Sequence, residues 1–180
     1  MICKNPHRSP VVPGEMEGIA WMSHASDRAS DFADAVGQHY PGLVRRLTAV
    51  VRDPDAALDL AQETYLRAYR AWNQFDGTDV RAWLYTIGLR LAFNERKRRL
   101  RWSRLFRSSA IRPAFAQPPD LDLHEALGEL RPEHRAALLL NAADGYTQAE
   151  IAAMLGVPAG TVASWLSRAK QQLRRALTDE

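Results

Sequence analysis

The sequence lacks the residue patterns that most catalytic and metal-binding sites need. It holds one cysteine, Cys3, which excludes an internal disulfide and a cysteine-based zinc cluster. Its five histidines are scattered, and none of their spacings would hold a metal ion. The chain has no nucleophile paired with a base and no glycine-rich phosphate loop. We therefore expect no metal, no other cofactor and no enzymatic activity.

Long apolar runs are also missing. No run approaches the roughly 20 residues that cross a bilayer, and the N-terminus lacks the order of a signal peptide, so we expect the protein to stay in the cytoplasm. Residues 1–27 hold three prolines, two glycines and little periodic apolar pattern, which predicts a disordered extension. Met16 and Met22 lie inside it and are alternatives to Met1 as the true start.

Charge is unevenly divided along the 180 residues, although the net charge is only +3. Residues 28–110 carry +6, residues 111–180 carry −2 and residues 1–27 carry −1. The range 90–107 alone holds eight basic residues and one acid. Such a local basic patch indicates a polyanionic partner. The alternative is a solvated charged helix end.

Near the C-terminus, the pattern predicts two helices joined by a tight turn. Thr147 and Glu150 form a capping box that begins the first helix, and Gly156 suits its left-handed end. Pro158 suits the first turn of the second helix, whose apolar stripe is Val162, Leu166, Ala169 and Leu173. Two helices with this connection form a helix-turn-helix, whose second helix can enter the DNA major groove.

The opposite face of that second helix carries the candidate base and phosphate readers. They are Thr161, Ser164, Arg168 and Gln171. The alternative is the ordinary polar face of an amphipathic helix.

The N-terminal half is also predicted to be helical. A helix begins near Asp31 and breaks near Pro41, and Asp53 followed by Pro54 starts another. The outer face of this second helix carries Asp59, Gln62, Glu63, Leu66 and Arg70. A leucine ringed by polar and mostly acidic residues indicates a small partner-docking patch, although a single exposed leucine is also ordinary.

A third helix is predicted from Val80 to about Arg101, after a loop that contains Phe75. Asp79 suits its cap. Its inward residues are expected to be Trp83, Leu84, Ile87 and Leu91. A neighbouring stripe holds Thr86, Arg90, Phe93 and Lys97 and runs into the basic residues 96–99. Rings interleaved with cations suit single-stranded nucleic acid, whereas core packing is the alternative role for Phe93.

These helix predictions together indicate an all-α protein with two small helical domains. We place the first at residues 28–106 and the second at 121–180, with a Pro- and Ser-containing linker at 107–120. Fully extended, that linker spans on the order of 45 Å, so the halves need not touch. In the second domain, helices at 121–130 and from Pro132 to near Gly145 support the helix-turn-helix, with Ala136, Leu139, Leu140 and Ala143 inward.

These segments, in this order, resemble an RNA polymerase sigma factor of the extracytoplasmic-function group in the sigma-70 family. The resemblance rests on DLAQET, WLYTIGLRLAFNERKRR, LGELRPEHRAALLL and YTQAEIAAMLGVPAGTVASWLSRAKQQL, and it covers about residues 30–177. It implies that the first domain corresponds to sigma region two and the second to region four. The chain would then direct core polymerase to promoters, and an anti-sigma factor is an expected partner.

The resemblance also implies residue roles. Asp59, Gln62, Glu63, Leu66 and Arg70 would dock on a coiled coil of the largest polymerase subunit. Phe75, Thr86, Arg90, Phe93, Arg96 and Lys97 would open the minus-ten element and hold its melted non-template strand. Thr161, Ser164, Arg168 and Lys170 would read the minus-thirty-five element as duplex.

This chain departs from the family pattern at two places. Arg90 occupies a position that often carries Asn and reads the minus-ten element, and arginine favours phosphate or guanine edges. Ala163 and Trp165 stand where basic residues are common, and Trp165 suits packing at the edge of the apolar stripe. Promoter preference therefore cannot be copied from relatives.

Two other functions remain open at this stage. A helix-turn-helix regulator that binds duplex DNA without polymerase would share the pattern of Glu150, Ile151, Ala152, Thr161 and Val162. A helical interaction protein without a DNA role would leave the basic run as a solvated face. A regulator would bind duplex DNA alone, so a requirement for polymerase separates a sigma factor from such a regulator.

Overall fold

The computed structural model describes residues 29–105 and 121–177, so the predicted extension at 1–27 and linker at 107–120 lie outside the described residues. The chain divides into two compact units, Met1–Gly37 and Gln38–Glu180. In the first unit, residues 29–37 are helical. The described part of the second unit holds α1 Tyr40–Val51, α2 Pro54–Ala71, α3 Val80–Leu105, α4 Leu121–Glu129, α5 Pro132–Ala142, α6 Gln148–Leu155 and α7 Ala159–Ala176.

The all-α prediction is confirmed over the described residues, and so are most of the helix boundaries. Two turn residues separate residues 29–37 from α1, which has Pro41 in its first turn. The Asp53 side chain accepts from the Ala56 amide at 3.0 Å, and Asp79 accepts from the Ala82 amide at 2.9 Å. The third helix continues to Leu105, beyond its predicted end near Arg101.

The helices of the first half meet at Gly88. A Cβ at this position would lie 3.1 Å from Thr64 Oγ1 and 3.2 Å from Leu43 Cδ1, so α3 crosses α1 and α2 at close range. The buried side of α3 is therefore Leu84, Tyr85, Gly88, Leu89 and Ala92. Of the α3 residues predicted to face inward, Leu84 is buried as expected. The prediction was wrong for Trp83, Ile87 and Leu91, which are only half-buried.

The C-terminal half contains the predicted helix-turn-helix. The capping box of Thr147 and Glu150 is present, and Gly156 ends α6 with a φ of +67°. Helices α6 and α7 meet at 110°, an angle typical of this motif. Pro158 is the residue before α7 rather than its first helical residue, and Val162, Leu166 and Ala169 are buried as predicted.

The two halves share one hydrophobic core. Leu47 and Tyr85 from the first half belong to the same cluster of buried residues as Leu140 and Leu166 from the second. Because α5 packs against α1 as well as α6 and α7, Ala137 and Leu138 are buried in addition to the predicted Ala136 and Leu140. Ala143 was expected inward and is exposed, because α5 ends one residue before it.

Within the described residues, no single helix is both long and apolar enough to cross a membrane. Length and composition reach that level only when α6 and α7 are counted together across their sharp bend.

Candidate docking and nucleic-acid-binding surfaces

The outer face of α2 presents an exposed leucine among polar residues. Leu66 is 53% exposed, and Asp59, Gln62 and Arg70 are exposed around it. Glu63 forms an ion pair with Arg67 at 2.6 Å. We name Asp59, Gln62, Glu63, Leu66 and Arg70 the Leu66 patch. A leucine on a rigid helix, surrounded by polar side chains, is suited to enter a small apolar pocket on a partner.

The structure adds Leu58 to this surface. Leu58 is 42% exposed and precedes Leu66 by two helical turns, so both leucines lie on the same side of α2. The docking patch predicted from sequence did not include Leu58. The spacing of eight residues was the signal that could have found it.

Three aromatic rings pack together where the loop before α3 meets that helix. The Phe75 ring packs against both Trp72 and Trp83, with ring centroids 5.4 Å and 4.7 Å away and interplanar angles of 17° and 28°, and the two tryptophan rings are themselves 6.1 Å apart. Asp76 accepts hydrogen bonds from the Thr78 amide and hydroxyl, which lowers the pKa of the Asp76 carboxyl. Phe75 is therefore held in place by packing, and a base that stacks on it must enter beside a tryptophan.

In the predicted nucleic-acid-binding stripe on α3, three residues form hydrogen bonds or an ion pair and Lys97 is exposed to solvent. The Thr86 hydroxyl donates to the Ala82 carbonyl oxygen at 2.8 Å. Arg90 donates to the carbonyl oxygens of Met154 and Ala153 at 2.9 Å and 3.0 Å. Arg96 forms an ion pair with Glu133 at 3.1 Å, whereas Lys97 is exposed.

Phe93 is half-buried against the core at the edge of a groove of about 1000 Å³. Asp59 and Glu63 of α2 line one side of this groove, and Arg96 lines the other. The groove therefore connects the Leu66 patch to the basic end of α3. The position of Phe93 is compatible with both roles considered for it, packing and contact with a strand.

The main readers on the outward face of α7 are mostly exposed to solvent. Ser164, Arg168 and Lys170 are exposed, and Thr161 is half-buried near the start of the helix. The helix N-terminus adds backbone amides that suit phosphate. This face has the exposure that a major-groove helix needs.

Trp165 does not belong to that exposed face. Its ring lies 6.2 Å from the buried ring of His134 on α5, so this tryptophan fixes α7 on its support. Burial lowers the pKa of His134, and the nearby Arg131 lowers it further. The imidazole is therefore neutral near pH 7 and packs as an apolar ring.

No group of His, Cys, Asp and Glu in the described ranges is arranged to hold a metal ion. The surfaces described above consist of exposed leucines, cations and aromatic rings. This chemistry suits association with macromolecules.

Family models match both halves of the chain. Residues 35–102 match the model for Sigma-70 region 2, and residues 120–173 match the model for Sigma-70, region 4. The chain is 33% identical over 169 residues to the RNA polymerase sigma factor CarQ of Myxococcus xanthus, covering 87% of this chain and 95% of CarQ. It is 32% identical over 173 residues to the ECF RNA polymerase sigma factor SigE of Mycolicibacterium smegmatis, covering 89% and 67% of the two chains.

Solved structures agree with these matches. The sigma factor RpoE from Bartonella quintana, in complex with the anti-sigma factor NepR, superimposes with a TM-score of 0.69 at 29% identity, covering 83% of this chain and 99% of that one. CnrH in complex with the cytosolic domain of CnrY gives 0.60 at 26% identity, with 87% and 96% covered.

The chain belongs to the sigma-70 family of RNA polymerase sigma factors. Within that family its relatives are ECF sigma factors, and it is accordingly an RNA polymerase sigma factor that acts in transcription initiation.

Proposed function

We propose that three surfaces divide the work of this sigma factor. The Leu66 patch docks on core RNA polymerase. Phe75, Thr86, Arg90, Phe93, Arg96 and Lys97 recognise and open the minus-ten element. Thr161, Ser164, Arg168 and Lys170 contact the minus-thirty-five element as duplex. The exposed Leu66 among polar side chains is the observation that carries this proposal, because nothing in the described fold requires an apolar side chain there.

The proposal assigns the residues of 28–106 and 121–180 to separate tasks, joined by the linker at 107–120. RNA synthesis itself belongs to the core enzyme, and the chain has no catalytic role of its own. Because core polymerase and promoter DNA are its partners, its place of action is the cytoplasm. An anti-sigma factor is a further expected partner, supported by the likeness to RpoE, solved in complex with the anti-sigma factor NepR, and to CnrH, solved in complex with the cytosolic domain of CnrY.

The Leu66 patch is tested by Leu66→Asp. The charged side chain cannot enter an apolar pocket without losing its hydration, so we expect affinity for core polymerase to fall at least tenfold. Leu177→Asp is the matched control, because Leu177 is 48% exposed outside the patch. Binding is measured by titration of labelled core enzyme, and the fold is checked by circular dichroism.

Core affinity that survives Leu66→Asp would remove the patch from the docking surface. Transcription in vitro with core polymerase also separates a sigma factor from a regulator that binds duplex DNA unaided. The sigma factor starts RNA synthesis at a selected promoter only together with core enzyme.

A further inference from the structure

Three arginines gather at the part of the Phe93 groove where α5 begins. Arg52 and Arg96 line the groove, as does Pro132, the first residue of α5. Arg135 lies three positions after Pro132, on the same side of α5, and is 4% exposed. Burial lowers the pKa of Arg135 to about 10, and the nearby Arg52 and Arg96 lower it further. We name Arg52, Arg96 and Arg135 the arginine cluster.

Arg52 has a backbone conformation that glycine usually adopts. It ends α1 in the left-handed region with a φ of +57°, which costs a residue with a side chain about 1 to 2 kcal/mol. Its guanidinium contacts Gly128 of α4, where a Cβ would overlap it. Glycine at position 52 would remove the strain but also the charge. A strained arginine at this point indicates that the positive charge has a use.

Arg135 holds a buried donor that the fold leaves unused. Its Nη1 donates to the Leu127 carbonyl oxygen near the end of α4 at 3.3 Å, whereas its Nε meets no acceptor among the described residues. A buried donor without an acceptor costs about 1 to 3 kcal/mol. An anion that supplies an oxygen here would recover part of that free energy.

Nearby negative charge does not balance the arginine cluster. Glu133 forms its ion pair with Arg96, and the C-terminal end of α4 adds about half a negative charge. Three guanidinium groups therefore keep an excess of roughly one and a half positive charges. This excess favours an anion with more than one negative charge.

The groove as a whole is electrically neutral, because four arginines and four acids line it. Three of these acids have local partners: Asp53 caps α2, Glu63 pairs with Arg67, and Glu95 pairs with Arg98. The fourth acid lies on the outer face of α2. The positive excess is therefore a property of the arginine cluster rather than of the whole groove.

Phosphate is the anion that this arrangement suits best. Guanidinium groups donate paired hydrogen bonds to phosphate oxygens. Helix α5 begins beside the cluster without a side-chain cap, so its first amides add donors of the same kind. A groove of about 1000 Å³ is large enough for a nucleotide, and the half-buried Phe93 offers a ring at its edge for a base.

We propose that this groove binds a small phosphate compound, with a diphosphate or triphosphate group on the arginine cluster and, in a nucleotide, the base beside Phe93. Free pyrophosphate and a nucleotide share this chemistry. The site goes beyond the proposed function, since binding requires neither core polymerase nor promoter DNA. Its test is therefore independent of the roles assigned above, although Arg96 and Phe93 also belong to the minus-ten set.

The first experiment titrates pyrophosphate into the full chain by calorimetry at fixed ionic strength. Arg52→Gly should weaken binding about tenfold, because a charge-assisted contact is lost while glycine suits the left-handed backbone. Glu133→Gln should tighten binding about twofold, because it removes the carboxylate that competes for Arg96. Arg45→Gln is the control at an exposed cation of α1 and should bind like the parent. Circular dichroism checks each fold.

Equal affinities for Arg52→Gly and the parent would overturn the site. An equal loss in Arg45→Gln would overturn it as well, because it would show a general attraction of anions to a basic surface. Weaker binding by Glu133→Gln would contradict the charge balance on which the proposal depends.

The second experiment separates the two sources of the phosphate group by comparing inorganic phosphate, pyrophosphate and ATP. Inorganic phosphate should bind about tenfold less tightly than pyrophosphate, because one phosphoryl group reaches fewer guanidinium groups. Tighter binding of ATP than of pyrophosphate, with the difference lost in Phe93→Leu, would identify a nucleotide. Equal affinities would identify free pyrophosphate. No binding of any of the three compounds at millimolar concentration would overturn the proposal.

Discussion

Arg168 and Lys97 are both exposed cations on helices, yet their surroundings differ. Arg168 lies on the free face of the helix-turn-helix, whereas Lys97 follows the ion-paired Arg96 at the basic end of α3. Loss of a contact to a base weakens binding to one DNA sequence. Loss of a contact to a phosphate weakens binding to all sequences and reduces the dependence of binding on salt.

The change Arg168→Ala should weaken holoenzyme binding to duplex containing the minus-thirty-five element by about 1 to 3 kcal/mol. Lys97→Ala should leave that binding intact, slow promoter opening and reduce the salt slope of opening by about one. Both effects are measured by filter binding and open-complex assays between roughly 50 and 200 mM salt. Arg175→Ala, at an exposed cation near the end of α7, is the control, and no effect in either variant would contradict these roles.

The buried His134 gives the stability a pH dependence with a definite sign. Burial lowers its pKa below the ordinary 6.5, so the folded chain binds this proton less well than the unfolded chain does. Its contribution is complete above about pH 6.5 and is lost as the pH falls through the folded pKa. We expect the free energy of unfolding, measured in urea, to fall as the pH is lowered from about 7.5 to about 5.5. The variant His134→Gln should show a smaller fall. An identical fall in the variant would exclude His134 as the cause.

At the level of the helices, local signals were read correctly from sequence. Caps at Asp53, Asp79 and Thr147 and the left-handed Gly156 depend on neighbours within four residues. The buried side of α3 was misjudged because it depends on Gly88 meeting Leu43, a residue distant in sequence. Periodicity alone indicates that a helix has an apolar side. It does not show which of two adjacent stripes is buried when both carry aromatic or aliphatic residues.

The close crossing at Gly88 should be sensitive to size. Gly88→Val adds a branched side chain at a position where even a Cβ atom would lie only 3.1 Å from Thr64 Oγ1. We therefore expect a loss of about 1 to 3 kcal/mol in the free energy of unfolding. Gly160→Ala is the control, because a Cβ there meets no atom within 4 Å. Urea denaturation measures both, and a Gly88→Val protein as stable as the parent would show that the helices separate without cost.

For the whole molecule, the contact between the halves could not have been predicted. A linker with a reach on the order of 45 Å permits both separation and contact, and the sequence gives no rule for which arginine meets which acceptor. Arg46 and Asp144 are 98 positions apart and lie in helices and loops that look complete on their own. The candidate site residues on each half could be proposed from sequence because the exposed faces of α2, α3 and α7 are local properties of those helices.

A shared core predicts one cooperative unfolding transition. Trp83 reports on the first half and Trp165 on the second, and the buried cluster extends through both. Variants in which Trp83 or Trp165 is the single remaining tryptophan should show coincident midpoints in urea at low salt. Separate midpoints would mean that the halves unfold independently and that their contact adds little stability.

The rings before α3 also give this sigma factor an intrinsic optical signal. The indoles of Trp72 and Trp83 lie 6.1 Å apart with Phe75 stacked against each, so their electronic transitions couple. We predict that a nucleobase wedged into this cluster would separate the chromophores and alter near-ultraviolet dichroism and fluorescence. If Phe75 has the proposed role, strand capture should be visible in the unlabelled protein, in real time and apart from any RNA product.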